Sequence, residues 1–103
     1  MQILVKENTL KLIFDENFST SFANDLQIRM IEAINKTPMG DLVLDMRNVE
    51  ILDSVGVKIL IGVYKTCQEQ NRKLLLEVSH SNLRQVISLF KLDQLIQVQE
   101  SVT

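Results

Sequence analysis

The chain has 103 residues, enough for one domain built around one core. Hydrophobic residues make up 46% and charged residues 23%, which excludes a wholly disordered chain; with 5% aromatics and no Trp, the core must be aliphatic, as in a sheet covered by helices. A formal net charge of −2 argues against nucleic acid as the main partner.

The sequence opens on two short β-prone runs, Gln2 to Val5 and Leu10 to Phe14, separated by Lys6-Glu7-Asn8-Thr9. A hairpin is the economical reading, with Leu10, Leu12 and Phe14 facing the core. After the polar stretch Asp15 to Ser21, Phe22, Leu26, Met30, Ala33 and Ile34 recur at helical steps. Ser19 or Ser21 is the expected N-cap, and the helix should stop near Asn35-Lys36-Thr37, ahead of Pro38 and Gly40. Leu42 to Met46 is a near-continuous apolar run, suited to a central strand covered on both faces.

A helix is predicted over Asp53 to Gln70. Gly56, Ile59, Leu60, Val63, Tyr64 and Cys67 fall on one side of it, and Ser54, Lys58, Ile61 and Lys65 on the other. Asn71 can take the left-handed conformation that ends a helix. Lys73 to Val78 reads as a further strand. Ser81 is expected to cap a short helix with the stripe Leu83, Val86, Ile87 and Phe90, and Leu95 to Val98 as a last strand before a frayed end, Ser101-Val102-Thr103. This alternation predicts right-handed βαβ units in a largely parallel sheet, with the opening hairpin as an antiparallel edge.

The residue inventory leaves little room for an enzyme. His80 and Cys67 are each the only residue of their type. That excludes a Cys/His zinc site and an internal disulfide, and no metal or cofactor is expected. A lone cysteine fits a reducing cytosol. The N-terminus becomes charged at Lys6, too soon for a secretory leader, and no apolar run reaches the length that spans a bilayer. A cytoplasmic protein without membrane insertion is the expectation. Gly40, Gly56 and Gly62 are too scattered for a phosphate loop, and His80, in the polar loop Ser79 to Asn82, is expected to be solvated. Asp45 and Asp53 flank one strand-to-helix connection, with solvation or capping as their expected roles.

Two readings of Asp53-Ser54 stand side by side. Either side chain can accept hydrogen bonds from the first helical turn, a contribution of about 1 kcal/mol. Alternatively Ser54 is a kinase acceptor: a phosphate there would meet a helix N-terminus, which favours anions, and would add about −1.5 to −2 charges beside Asp53. Ile61, expected outward between Lys58 and Lys65, is either the centre of a small docking patch or an isolated surface residue.

The run from Leu42 to Leu60, with Asp53-Ser54-Val55-Gly56 at its centre, resembles the signature of STAS domains and, more narrowly, of bacterial anti-sigma-factor antagonists. The resemblance extends to Leu89-Phe90-Lys91-Leu92-Asp93-Gln94-Leu95 and implies a single STAS domain over 1–103. The implied fold is α/β, a STAS-like mixed sheet (N-terminal hairpin plus βαβ units) with helices packed against it. The implied function is a phosphorylation-switched binding module in transcription regulation, not an enzyme. Its unphosphorylated form binds and sequesters a GHKL-type serine kinase that is itself an anti-sigma factor; phosphorylation of Ser54 breaks the complex, and a PPM-type phosphatase reverses it. The implied partner-binding residues are Asp53, Ser54, Val55, Gly56, Lys58, Ile61 and Lys65. The chain departs from the family pattern in the glycine-free turn Asp15 to Ser19, in Val55 where a second hydroxyl is common, and in Lys58 where a glycine is common. A STAS partner-switching or scaffold subunit with a non-sigma target, such as secretion, motility, attachment, a stressosome or a lipid-transport complex, is the alternative.

Overall fold

The computed structural model describes residues 1–15, 23–37 and 40–100. Among these residues five strands and three helices follow in the expected order: β1 (Gln2–Lys6), β2 (Thr9–Ile13), α1 (Ala23–Lys36), β3 (Asp41–Asp45), α2 (Ser54–Glu69), β4 (Leu74–Val78), α3 (Ser81–Leu89) and, after a 3-10 turn at Leu92–Gln94, β5 (Gln97–Glu100). The strands lie in one sheet in chain order. β1 and β2 form the antiparallel hairpin; β2, β3, β4 and β5 run parallel. The expected caps Ser19 and Ser21, Phe22, most of the turn Asp15 to Ser19, and Ser101-Val102-Thr103 lie outside the described residues.

Alternation along the strands decides which face is covered. Leu10 and Leu12, then Leu42 and Leu44, then Leu74, Leu76 and Val78 point to one side and are buried. They form one cluster with Leu26, Met30 and Ile34 of α1, Ile59, Leu60 and Val63 of α2, and Leu83 and Ile87 of α3. β3 is therefore central but covered by helices on one face, not both. On its other face Val43 lies in register with Lys11 and Leu75, and these three are only half-buried. The apolar run misled because Val43 and Leu75 lie on adjacent paired strands, where neighbours half-bury them without a second helical layer among the described residues.

Other boundaries shift for local reasons. His80, not Ser81, is the N-cap of α3, and its side chain makes no capping bond. Phe90 falls just past the helix and is 48% exposed, so it is not part of the core stripe. The last strand begins at Gln97 because the preceding residues fold into the 3-10 turn, entered through Lys91 in the left-handed region; Ile96, not Leu95, turns inward. At the end of α2, Asn71 takes φ +55, the left-handed conformation anticipated for it.

Two long-range contacts hold the amino ends of β3 and β4. Arg72 is 93% buried, and its guanidinium donates to the carbonyls of Gly40 (2.7 Å) and Ile34 (3.3 Å) and to Oε1 of Gln70 (3.2 Å). A cation is well placed against the last carbonyls of α1. Gly40, at φ +93, lies against the hairpin turn: a Cβ there would sit 2.0 Å from the carbonyl oxygen of Asn8, which also accepts the Asp41 amide at 2.7 Å.

Gly40→Ala is expected to destabilise the fold by about 2–3 kcal/mol, since it combines a left-handed strain with a backbone collision. In contrast, Gly62 lies inside α2 with nothing within 4 Å of a would-be Cβ. Gly62→Ala should stabilise by about 0.5–1 kcal/mol. Urea unfolding of the two variants beside the parent chain checks both signs.

Candidate functional site

The connection from β3 to α2 lies at the carboxyl end of the parallel strands, where open sheets present their loops. It is anchored before it turns. The Phe14 amide donates to the carbonyl of Asp45 (3.0 Å) and the Met46 amide to that of Glu77 (2.8 Å). Met46 and Val49 are fully buried and Leu52 is 5% exposed, so the loop is pinned to the core at three points.

The Asp45 carboxylate is densely hydrogen-bonded. It is 98% buried and accepts from Nε (2.9 Å), Nη2 (2.7 Å) and the backbone amide (3.2 Å) of Arg47. Lys11 Nζ lies 3.7 Å from the same carboxylate and 3.1 Å from that of Glu77. The Arg47 hydrogen bonds hold Asp45 below the ordinary carboxylate range, against the opposing effect of burial. A carboxyl held ionised in this way is unsuited to general-acid work. Asp45 is a structural clamp for the turn at Arg47-Asn48.

Asp53 does a different job. With φ −95 and ψ −177 it is the N-cap of α2, and its Oδ1 accepts the Gly56 amide at 3.0 Å while its carbonyl accepts the Val57 amide at 2.9 Å. Capping is thus carried by Asp53 alone. Ser54 is the first helical residue, and it is exposed. Lys58, one turn further on, and Lys65 are exposed on the same side of the helix.

The remaining sequence-predicted positions are not all at the surface. Gly56 is buried, and Val55 and Ile61 are half-buried and pack against the core. Ile61 is therefore half-buried and in contact with the core cluster, not the fully outward residue expected between Lys58 and Lys65. The exposed apolar residue near Ser54 is Ile51, 55% exposed and three positions upstream. Its signal was present in the pair Ile51-Leu52: in an extended segment neighbours point oppositely, so when Leu52 turns in, Ile51 turns out. A second unforeseen feature is His80, whose Nδ1 lies 3.9 Å from Oε1 of Glu50, so that the β4–α3 loop abuts the β3–α2 loop.

Among the described residues no group of three or more His, Cys, Asp or Glu side chains converges as a metal would need, and no helix is long and apolar enough to cross a membrane. Cys67 is buried, and burial pushes its thiol up, away from the thiolate that would make it a nucleophile.

The arrangement is that of a small α/β domain that exposes a hydroxyl at a helix start, with the adjacent carboxylate committed to the cap. A sequence model of the STAS domain matches residues 1–103, and the chain belongs to the STAS domain family. Its fold is similar to that of a candidate anti-sigma factor antagonist of Thermotoga maritima, at 16% identity and TM-score 0.87, over 98% of this chain and 86% of that one. SpoIIAA, an anti-sigma factor antagonist solved in its unphosphorylated form, matches at 14% identity and TM-score 0.81, over 98% and 87% of the two chains. An anti-sigma factor antagonist from Mycobacterium paratuberculosis matches at 21% identity and TM-score 0.83, over 94% and 81%.

Two predictions separate the roles of these side chains. Asp53→Ala should cost about 1 kcal/mol of stability through the lost cap, while Ser54→Ala should stay within about 0.5 kcal/mol of the parent in the same urea titration. Because the folded-state pKa of Asp45 lies below its ordinary 3.8, its contribution is complete above that value and is lost as pH falls below it. Arg47→Leu removes the main cause of the depression, so the variant should be less stable than the parent at neutral pH and should lose less stability as pH falls below that value, read from urea unfolding against pH.

Proposed function

We propose that the chain is a phosphorylation-switched docking module, one STAS domain over residues 1–103 acting in the cytoplasm. Its unphosphorylated form binds and sequesters a GHKL-type serine kinase that is itself an anti-sigma factor. Phosphorylation of Ser54 releases that partner, and a PPM-type phosphatase resets the switch. The module has no catalytic part of its own; the kinase and phosphatase supply the chemistry.

The observation that carries this reading is the division between Asp53 and Ser54. The carboxylate already holds the helix start, so the exposed hydroxyl is free of that structural duty. A phosphate on Ser54 would lie at the positive end of the α2 dipole and within one turn of the Lys58 ammonium, so the fold tolerates it. The same group adds about −1.5 to −2 charges to a surface where Ile51 offers apolar contact, which is enough to repel a partner shaped for the neutral form. Docking would draw on Asp53, Ser54, Lys58 and Lys65, with Val55, Gly56 and Ile61 supporting them from beneath.

Lys58, exposed where family members commonly carry glycine, alters the docking surface. That observation favours the second reading, a partner-switching or scaffold subunit with a non-sigma target; the serine switch is common to both.

Incubated with its cognate kinase and ATP, the protein should gain one phosphate by intact-mass measurement, and Ser54→Ala should gain none. Equal phosphorylation of Ser54→Ala would show the site to be elsewhere. Ser54→Asp should weaken kinase binding by about tenfold or more, equivalent to ~1.4 kcal/mol, with an unchanged circular dichroism spectrum.

A further inference from the structure

Among the described residues, β1 stands at one end of the strand order and pairs with β2 alone. All five of its residues are exposed, including Ile3 (51%), Leu4 (51%) and Val5 (60%). Protein sheets usually blunt such an edge with a charge, a proline, a bulge or a cover. Here the register runs unbroken from Gln2↔Ile13 to Lys6↔Thr9, without bulge or proline, and the only charge on the strand is Lys6 at its end. The opposite edge is different: β5 is the polar Gln97–Glu100, and its Glu100 receives Arg84 at 2.6 Å.

The hairpin geometry shows which main-chain groups are outward. A two-residue loop, Glu7 and Asn8, closes on Lys6↔Thr9. In such a hairpin the closing pair exchanges both hydrogen bonds, and bonded positions then alternate. Lys6, Leu4 and Gln2 therefore address β2, while Ile3 and Val5 direct their N–H and C=O groups away from it.

We propose that this edge is a docking site for a second copy of the same chain, the two β1 strands pairing antiparallel about Leu4 to join two five-stranded sheets into one. The strand is self-complementary in that register. Ile3 meets Val5 of the second copy and Val5 meets its Ile3, forming about four main-chain hydrogen bonds. Leu4 meets Leu4 on the two-fold axis as a close, non-hydrogen-bonded pair, and Gln2 meets Lys6, so that the two Lys6 cations lie at opposite ends. Pairing β1 of one copy with β5 of another would instead repeat without closing; the β1 pair closes after two chains. A five-residue edge is smaller than a standard interface, so the dimer is concentration-dependent. The edge is two strands from β3, about 10 Å, so each copy keeps its Asp53-Ser54 end accessible.

Sedimentation equilibrium of the full chain over a concentration series tests this. The parent should move from the monomer mass toward twice that mass. Val5→Pro removes an outward N–H without touching the β2 ladder, and Leu4→Lys places two cations on the axis; both should remain monomeric with unchanged circular dichroism. If Val5→Pro fails to fold, Leu4→Lys still decides. Leu4→Cys, oxidised, should run as a cross-linked dimer on a non-reducing gel, because Cα atoms about 4.5 Å apart are within disulfide reach. The parent, whose Cys67 is buried, should not cross-link. A parent that stays monomeric at the highest concentration, a dimer that survives Leu4→Lys, an uncross-linked Leu4→Cys, or growth into higher oligomers would each overturn the proposal.

Discussion

The hydrogen bond from the Gly56 amide to the Asp53 carboxylate sets where α2 begins, and the rest of the site follows from that point. A start one residue earlier or later would rotate the helix by about 100° and turn a different side chain to solvent. With the start at Ser54, the heptad-like spacing of Ile59, Leu60, Val63 and Cys67 meets the sheet, and Ser54, Lys58 and Lys65 remain outside. The cap therefore works on two levels. It satisfies an amide of the first turn, and it keeps the neighbouring hydroxyl out of structural use.

The sheet that supports this corner is asymmetric. One face is apolar and sealed by three helices; the other holds Asp45, Arg47, Lys11 and Glu77 in a connected set of ion pairs. That set is next to the carboxyl end of β3 and restrains the backbone just before the loop leads to Asp53. A rigid approach matters for a surface that must present one hydroxyl in a fixed position to a partner's active site. At the hairpin edge, Leu4 lies on the open face beside Lys11, while Ile3 and Val5 share the face of Leu12 and Leu10 and are still exposed.

Much of the fold was legible from local pattern. The hairpin, the three helices and the central strand carry strong periodicity, and their order leaves few alternatives to a mixed sheet. Asp53-Ser54 was legible as a helix start because Asp and Ser are N-cap types. What could not be read was the choice between the two, which depends on the extended φ and ψ of Asp53. Ile61 proved half-buried because a helix wheel assigns a direction but not what packs beside it; it lies outside the fully buried set of α2 yet touches the core cluster. β3 looked covered on both faces because Leu42-Val43-Leu44 contains no polar residue; burial by neighbouring strands and by burial beneath a helix leave the same mark in a sequence. The pairing of Asp45 with Arg47 joins residues two apart through a turn, and no periodicity announces it.

The strand order has a consequence for how the molecule is made. Space and sequence run in the same direction, from β1 to β5. As the chain emerges during synthesis, every new strand finds its neighbour already present and is joined to it by the shortest available connection. No strand has to wait for a later one or insert between two that have paired, so loop-closure entropy is met in small steps. Assembly is vectorial, and the growing edge at each stage is the template for the segment that leaves the ribosome next.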